Sequence, residues 1–339
     1  MSKSVRAMAL HSAGSKLVPF AFDLAPLGDE QVEIAVTSCG ICHSDLSMMG
    51  NDWGMTGYPL VPGHEVVGTV AAIGPAAKGL KLGQRVGLGW FSGSCMSCNI
   101  CMRGDHNLCA SAEQTIVGRY GGFAERTRAH WSWCTPLPDS LDDTRSGPLF
   151  CGGITVFNPI VQCGVKPTDR VGVVGIGGLG HLAIQFLSKW GCEVTAFTSS
   201  AAKDAEARAL GARHTVVSTS DEALAKLKNQ FDFIMVTVNV GLNWAAYIDA
   251  LAARGRLHFV GAVLSPLTLG AFPLILGQKS VSGSPLGSPA TTRSMIEFCA
   301  RHDINAVVET FPMSRANEAI ARLQSGKARF RVVLTNDFK

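Results

Sequence analysis

An alternation of short apolar strands and amphipathic helices in the second half of the chain constrains the fold most strongly. The pattern predicts strands over Arg170–Val174, Glu193–Phe197, His214–Val217, Phe231–Val236 and Arg256–Val260. It predicts helices between them, over Leu179–Trp190, Ala201–Leu210, Asp221–Lys228 and Trp244–Leu251. Because β-α-β connections join parallel strands through right-handed crossovers, we expect an α/β fold with a doubly wound parallel sheet.

The first predicted strand leads into its helix through a glycine-rich loop, VVGIGGLGH. Glycine allows a tight turn and a close approach of the backbone to a pyrophosphate, and the helix N-terminus that follows attracts the negative charge. A glycine-rich turn without a ligand is the alternative, but the strand before the loop and the helix after it are the context that dinucleotide binding needs. The residues predicted to contact the cofactor are Gly175, Gly177, Gly178, Leu179 and Gly180.

The end of the second predicted strand indicates which dinucleotide would bind. Folds that prefer NAD usually place Asp or Glu about 20 residues after the loop, where it binds the ribose hydroxyls. Here the strand ends in hydroxyls and an ammonium, and Asp204 is expected to lie inside the next helix. These groups suit a 2′-phosphate, so we expect NADP; the alternative is an ordinary polar turn. The residues concerned are Thr198, Ser199, Ser200 and Lys203.

The rest of the chain has a different pattern. Residues 1–150 are rich in Gly, Pro and β-branched residues, and runs such as Gln31–Thr37 and Val66–Ile73 predict a mostly β domain. The last elements are predicted as helices Thr292–Arg301 and Ser314–Leu323 and strand Arg329–Leu334. We expect these to return to the first domain, giving a discontinuous domain of residues 1–150 and 287–339 around an insert of residues 151–286.

Cysteine usage is unusual, with eleven cysteines in 339 residues. An odd count does not fit a closed set of disulfides, and the first residues lack the apolar stretch of a signal peptide, so we expect a cytoplasmic protein. Four cysteines follow the spacing C-x2-C-x2-C-x7-C, which can surround one tetrahedral zinc ion with no open position. The alternatives are an iron–sulfur site or four unrelated cysteines. The four are Cys95, Cys98, Cys101 and Cys109.

A second candidate metal site is scattered along the sequence. Its members are Cys42 in CGICHSD, His64 in GHE and Cys151 in FCGG. A Cys, His, Cys set leaves the fourth position of zinc open, and zinc there would polarise a carbonyl. We expect Asp45 to accept a hydrogen bond from His64, and Glu65 to be either a transient ligand or the partner of a cation. A metal pair formed by Cys39 and Cys42 is the alternative.

Charge and hydropathy argue against a nucleic-acid-binding protein and against a membrane-spanning one. The net charge of +4, from 30 basic and 26 acidic residues, argues against a nucleic-acid-binding surface. Leu257–Gln278 contains no Asp, Glu, Lys or Arg, but Gly and Pro interrupt it. We therefore expect a buried strand followed by an apolar loop rather than a membrane span. An apolar interface between two copies of the chain, in a homodimer, would explain the uncharged loop.

Together these motifs make the chain resemble the zinc-containing medium-chain alcohol dehydrogenases over essentially its whole length. The segments CGICHSDLSM, YPLVPGHEVVG, CGGITVF, GVVGIGGLGH and SVSGS are closest to the cinnamyl-alcohol-dehydrogenase-like branch, particularly to bacterial NADPH-dependent broad-range aldehyde reductases. The resemblance implies a GroES-like, mostly β catalytic domain beside a Rossmann domain, with the active site in the cleft. It assigns Cys42, His64 and Cys151 to a catalytic zinc ion and the four clustered cysteines to a structural one.

The resemblance also assigns individual roles. Ser44 matches the hydroxyl that exchanges the substrate proton, and Thr155 matches a residue packed near the nicotinamide. Arg331 matches a basic residue near the cofactor that can also pair with Glu65. Many relatives have His three residues after the relay hydroxyl, whereas this chain has Ser47, so the relay beyond Ser44 would use another group.

The sequence thus predicts a reductase that transfers hydride reversibly between NADPH and aldehydes, with two zinc ions per chain. Trp90 matches a substrate-facing aromatic residue and Trp53 lies near it in the predicted pocket; such an apolar wall would suit alkyl or aryl aldehydes. The alternative enzyme is an NAD-linked polyol or short-chain alcohol dehydrogenase. Alternatives from two other functional classes are a zinc-ribbon nucleic-acid-binding protein and a dinucleotide-binding redox sensor that uses Cys39 or Cys42.

Overall fold

The computed structural model describes residues 4–338, which form two compact units. One unit contains the described residues up to Ile154 and those from Leu286 onward, and the other is Thr155–Pro285. Within residues 4–338, no helix combines the length and the apolar character that a membrane crossing needs.

The first part of the chain is mostly strand. Its strands are β1 (Ser4–Ala9), β2 (Val18–Asp23), β3 (Gln31–Ile41), β4 (Glu65–Ile73), β5 (Arg85–Leu88), β6 (Phe91–Gly93), β7 (Glu113–Gln114), β8 (Arg126–His130) and β9 (Thr135–Pro136). Its helices are α1 (His43–Gly50), α2 (Asn99–Met102) and α3 (Asp143–Ser146), with 3-10 turns at His106–Leu108, Trp131–Trp133 and Gly147–Phe150. Strand β3 buries Val32, Ile34 and Val36, which are two residues apart and so share one face, and its last four residues are all buried.

The middle of the chain alternates strands and helices. Its strands are β10 (Arg170–Val174), β11 (Glu193–Thr198), β12 (His214–Val217), β13 (Phe231–Val236), β14 (Leu251–Phe259) and β15 (Ser280–Gly283). Its helices are α4 (Gly152–Gln162), α5 (Gly180–Trp190), α6 (Asp204–Ala209), α7 (Asp221–Ala225), α8 (Trp244–Ala250) and α9 (Ala271–Gly277), with a 3-10 turn at Ala201–Lys203.

These six strands form one sheet in the order β12-β11-β10-β13-β14-β15, and every pair in it is parallel. This is the strand order of a doubly wound dinucleotide-binding fold, which reverses direction beside the first strand. Strand β10 is an apolar run that is buried after its first residue, as expected for a strand covered on both faces. The predicted α/β class and the predicted parallel sheet are confirmed.

The last part of the chain adds strands to the first unit. It contains α10 (Pro289–His302), β16 (Val308–Pro312), a 3-10 turn at Met313–Arg315, α11 (Ala316–Gln324) and β17 (Arg331–Thr335). The large sheet of this unit has the order β16-β17-β3-β4-β5-β9, and β8 also pairs with β3. Because β17 pairs with the end of β3, the first and last parts of the chain share one sheet beside Ile41.

Several predicted boundaries were wrong. Strand β14 begins at Leu251 rather than Arg256, and it is irregular between these residues, where Arg254 has a left-handed φ of 63° and the register with β13 shifts. The predicted apolar loop contains helix α9, whose described side chains are not buried. The segment predicted as a helix over Ala201–Leu210 is a 3-10 turn followed by α6. Strand β16 was not predicted.

Candidate active site

The scattered candidate metal ligands converge in the first unit. The thiol sulfur atoms of Cys42 and Cys151 lie 3.7 Å apart, and His64 Nε2 lies 3.3 Å from the Cys151 sulfur. One ligand atom of Glu65 joins them, so that the ligand atoms of all four residues lie within 4.8 Å of one another. All four residues are buried. Sulfur and imidazole nitrogen are the donors that zinc prefers, so this set fits a zinc ion.

Asp45 holds two parts of this cluster together. Cys42 follows β3 and precedes α1, and its backbone N–H donates to Asp45 Oδ2 at 2.9 Å. The other carboxylate oxygen accepts from the backbone N–H of Gly63 at 2.9 Å and from His64 Nδ1 at 3.0 Å. The hydrogen bond predicted between Asp45 and His64 is therefore present. Because it occupies Nδ1, it leaves Nε2 to bind a metal.

The fourth member, Glu65, is held by a buried cation. Arg331, the first residue of β17, donates from Nη2 to Glu65 Oε1, which is the ion pair that the resemblance implied. The second oxygen, Oε2, is buried without a hydrogen-bond partner among the residues that the structure describes. A Cβ atom at position 40 would lie 2.0 Å from Oε2, so a larger residue there would displace the Glu65 carboxylate. Sequence reasoning missed Gly40, because nothing in the sequence shows which glycine faces Glu65.

The charges around the cluster favour a positive charge at its centre. The hydrogen bond from the Cys151 thiol holds the pKa of Cys42 well below its usual value. Burial raises the pKa of Glu65 to about 7, against the influence of Arg331. Burial also disfavours charge on His64, yet the Asp45 carboxylate raises the pKa of His64 well above its usual value. The lowered pKa of Cys42 favours its thiolate, which is the form that binds zinc, and this negative charge favours a proton or a metal cation beside it.

The four clustered cysteines form a second, more exposed group of thiols. The Cys95 and Cys109 sulfur atoms lie 3.5 Å apart, and Cys95 to Cys101 and Cys98 to Cys109 measure 3.9 and 4.0 Å. The four sulfur atoms lie within 4.8 Å of one another. Cys95 is exposed, and the backbone N–H groups of Ser97 and Cys98 lower its pKa to about 6. Four thiolates complete a tetrahedral zinc site, which fits a structural ion.

The glycine-rich loop of the second unit has the shape that a phosphate site requires. Gly175 has a left-handed φ of 95°, and a Cβ atom on Gly180 would lie 1.9 Å from the Gly175 carbonyl oxygen. In contrast, a Cβ atom on Gly177 would have no neighbour within 4 Å, so the backbone there is open to a ligand. Gly178 and Leu179 continue from this open position into the N-terminus of α5.

The polar turn after β11 lies beside that loop. Lys203 Nζ lies 3.5 Å from the carbonyl oxygen of Ile176. Ser199 and Ser200 are exposed, and Thr198 ends the strand. The nearby carboxylate, Asp204, begins α6 and accepts two hydrogen bonds from Arg208 Nε, at 2.9 and 3.1 Å, and another from Thr215.

The remaining predicted residues divide between the two units. The Ser44 hydroxyl lies 3.8 Å from the Cys42 sulfur and is half-buried. The Trp90 ring packs edge-to-face against His64 at 5.0 Å between centroids, and against Trp53 at 5.9 Å. A short aromatic array thus extends from the ligand cluster. Thr155 lies in α4, which begins directly after Cys151, and is assigned to the second unit.

Comparison with known proteins identifies the family. Residues 28–139 match the alcohol dehydrogenase GroES-like domain, and residues 178–301 match the zinc-binding dehydrogenase domain. The chain is 57% identical to an aldehyde reductase, AdhA, of Synechocystis, over 98% of this chain and 99% of that one. It is 38% identical to a probable cinnamyl alcohol dehydrogenase of Oryza sativa, over 98% and 96% of the two chains.

Solved structures agree with this result. A cinnamyl alcohol dehydrogenase from Sorghum bicolor superposes with a TM-score of 0.93 at 35% identity, covering 98% of each chain. A Helicobacter pylori CAD, solved as a complex with NADP(H), superposes with a TM-score of 0.90 at 28% identity, covering 99% of each chain. The predicted resemblance is confirmed. The chain therefore belongs to the zinc-containing medium-chain alcohol dehydrogenases and is an oxidoreductase of alcohols or aldehydes.

Proposed function

We propose that this protein is a zinc- and NADPH-dependent aldehyde reductase that forms primary alcohols reversibly. The buried cluster of Cys42, His64, Glu65 and Cys151 carries the proposal, because it offers three preferred zinc ligands and a variable fourth. The name of the Synechocystis relative, an aldehyde reductase, supports the direction of the reaction. The four clustered cysteines would hold a second zinc ion, giving two per chain.

The chain's own residues would orient the reactants and move the proton. When bound, zinc supplies a Lewis acid for the carbonyl oxygen and NADPH supplies the hydride. Ser44 is placed to pass a proton towards the alkoxide, because its hydroxyl lies beside the Cys42 ligand. Asp45 fixes the tautomer of His64. Trp90 and Trp53 would form an apolar wall that suits an alkyl or aryl group.

The cofactor preference rests on charge at the end of β11. Asp204 is engaged by Arg208 and Thr215, which leaves the exposed hydroxyls of Ser199 and Ser200 and the Lys203 ammonium to meet the adenosine ribose. These groups favour a 2′-phosphate over free hydroxyls. The glycine loop with Thr198 would hold the rest of the dinucleotide, and Thr155 and Arg331 are proposed to lie near it, as the resemblance implies.

We further propose a homodimer and the domain organisation expected from the sequence. Residues 1–150 with 287–339 would form the zinc catalytic domain, and residues 151–286 the NADP-binding domain. Segment Leu264–Leu276 supports an interface, because Leu264, Phe272 and Leu276 are 84%, 69% and 71% exposed. Apolar side chains clustered at such exposure usually mark a contact surface. The cytoplasmic location expected from the cysteine pattern stays a prediction.

The test is the rate of NADPH and NADH oxidation with aldehydes of increasing chain length. We expect kcat/KM to be at least about tenfold higher with NADPH, and to rise as an alkyl or aryl group grows. In Ser199→Asp, the preference for NADPH should fall by roughly tenfold or more, because a carboxylate repels the 2′-phosphate. Ser12→Asp, at an exposed serine in the loop between β1 and β2, is the control. Equal use of NADH together with oxidation of polyols would favour the alternative dehydrogenase.

A further inference from the structure

A cavity lies in the first unit, at the opposite end of β3 from the cluster of Cys42, His64, Glu65 and Cys151. It has a volume of about 370 Å³, within the range of small-molecule sites. Strand β2, the loop after it, the Arg119–Tyr120 turn and β8 form its walls. Arg126 on β8 pairs with Ala35 of β3, six residues before Ile41, and thus about 20 Å along the strand from the residue before Cys42. The cavity is therefore separate from the proposed active site.

Three guanidinium groups line this cavity, and the nearby carboxylates neutralise their positive charges only in part. Arg126 Nη1 donates to Glu33 Oε1 at 2.8 Å, and Arg128 Nη2 donates to Glu33 Oε2 at 2.7 Å. One buried carboxylate therefore serves two cations. The third cation, Arg119, pairs with Glu113, whose side chain is 58% exposed and so is screened by water. Among the described residues that line the cavity, Asp23 is the one with a carboxylate, and it is exposed.

Arg126 is the guanidinium with hydrogen-bonding capacity to spare. Arg128 also uses Nε on Glu33 and Nη1 on the carbonyl oxygen of Ala25, so all three of its guanidinium nitrogen atoms donate. Within residues 4–338, the hydrogen bonds of Arg126 go to Glu33 alone, from Nη1. Its side chain is only 22% exposed, so Nε and Nη2 are held in place with little freedom. A partly buried guanidinium with free donors suits a planar, bidentate acceptor such as a carboxylate.

An aromatic wall lies in the same cavity. The ring centroids of Phe22 and Tyr120 are 4.4 Å apart, and the Phe20 ring packs edge-to-face against Tyr120 at 5.6 Å between centroids. Both Phe22 and Tyr120 line the cavity and are half-buried. Such a surface favours a flat apolar ring over an aliphatic polar ligand.

We propose that this cavity binds a small aromatic carboxylate. The carboxylate would meet the free donors of Arg126, with Arg119 adding positive charge, and the ring would pack against Phe22 and Tyr120. The cross-links from Glu33 to Arg126 and Arg128 also join β3 to β8. That structural role alone requires neither the cavity nor the aromatic wall.

The experiment uses 4-bromobenzoate as the probe on the zinc-loaded full chain. Titration calorimetry should show binding that weakens at least tenfold in Arg126→Gln and is partly restored in Arg126→Lys. Arg315→Gln is the matched control, because Arg315 is an exposed guanidinium paired with Glu318, and it should bind as wild type does. Tyr120→Leu should weaken 4-bromobenzoate, and acetate should bind far more weakly than 4-bromobenzoate.

The bromine atom also locates the ligand. In soaked crystals, its anomalous signal should lie in this cavity beside Phe22 and Tyr120, on the side of the ring away from Arg126. Bromine found only beside Cys42 and His64 would overturn the proposal, as would equal affinity in wild type and in a folded Arg126→Gln variant. Binding seen in crystals but absent from calorimetry at millimolar probe would also overturn it, because the site would then bind an adventitious additive only.

Discussion

The four-cysteine cluster takes its ligands from residues 95–109, whereas the cluster around His64 takes its ligands from positions 42, 64, 65 and 151. The first needs only a short loop to fold around an ion, and Met96 and Gly104 provide its left-handed turns, with φ of 60° and 93°. The second exists only when β3, β4 and the segment before α4 are assembled. A ligand set that depends on the whole fold is held more rigidly than one carried by a loop.

The two clusters also differ in burial and in supporting hydrogen bonds. Asp45 and Arg331 are buried and bind members of the His64 cluster. The cysteine cluster instead accepts from backbone N–H groups, such as that of Cys98 to the Cys95 sulfur at 3.4 Å, and from the uncharged Ser94 hydroxyl beside Cys101. Mixed ligands with charged supports allow the coordination to change during a reaction, whereas four thiolates close it. The difference separates a proposed catalytic site from a proposed structural one.

The largest expected effect comes from removing a ligand of the His64 cluster. Cys151→Ser should lower kcat/KM for aldehyde reduction by at least about 1000-fold, because a Lewis acid contributes several kcal/mol to the transition state. The measurement is NADPH oxidation at equal folded protein, checked by circular dichroism. Cys299→Ser is the matched control, since Cys299 is a buried cysteine on α10 outside both clusters. Activity within a few-fold of wild type in Cys151→Ser would contradict the catalytic assignment.

The next largest effect concerns the hydrogen bond between His64 and Asp45. Asp45→Asn should reduce zinc affinity and activity by about 10- to 100-fold, because it weakens the hydrogen bond that fixes the His64 tautomer. Competition with a chelator measures the affinity. Because the hydrogen bonds of Asp45 go to Cys42, Gly63 and His64, the zinc of the cysteine cluster should be released at the same chelator concentration in variant and wild type. Equal loss from both sites would mean that Asp45 acts through general stability.

A smaller effect is expected from opening the cysteine cluster. Cys98→Ser should lower Tm by roughly 5 °C, because the loop loses its cross-link, while kcat at 20 °C stays within about threefold of wild type. Thermal denaturation and initial rates give the two values. If Cys98→Ser lost activity as completely as Cys151→Ser while remaining folded, the contrast between the two clusters would fail.

The smallest effect is a difference in thiol reactivity in metal-free protein. Backbone N–H groups lower the pKa of Cys95 to about 6, so its thiolate forms as pH rises through 6 and should react with iodoacetamide at pH 7. The pKa of Cys151 is raised well above its usual value, because its thiol donates to Cys42 and is buried, so Cys151 should stay unmodified. Peptide mass mapping after brief alkylation at pH 5, 6 and 7 checks both. Equal labelling of the two would contradict the difference in environment.

Sequence reasoning predicted the parallel sheet well because strands such as β10 and β13 are short apolar runs between clear turn signals. The glycine loop and the four clustered cysteines were also predictable, since all the residues that matter lie close together in sequence. Strand β16 was missed because its sequence, VETFP, has no regular alternation and it is formed by pairing with β17.

The scattered cluster was predicted from motifs and from family resemblance rather than from spacing. No local pattern shows that Gly40 must lack a side chain beside Glu65, or that Asp45 also binds the backbone of Gly63. These contacts arise only when β3 pairs with β4. Helix α9 was mistaken for a loop because Pro273 lies in it and Gly270 precedes it, and because its apolar side chains face outward.

The most direct test of the two-cluster account is the zinc content per chain of three proteins, measured together with aldehyde reductase activity. Wild type should hold about two zinc ions and be active. Cys98→Ser should hold about one and remain active, whereas Cys151→Ser should hold about one and be inactive. One zinc ion in wild type, or an active Cys151→Ser protein with one zinc ion, would contradict the account.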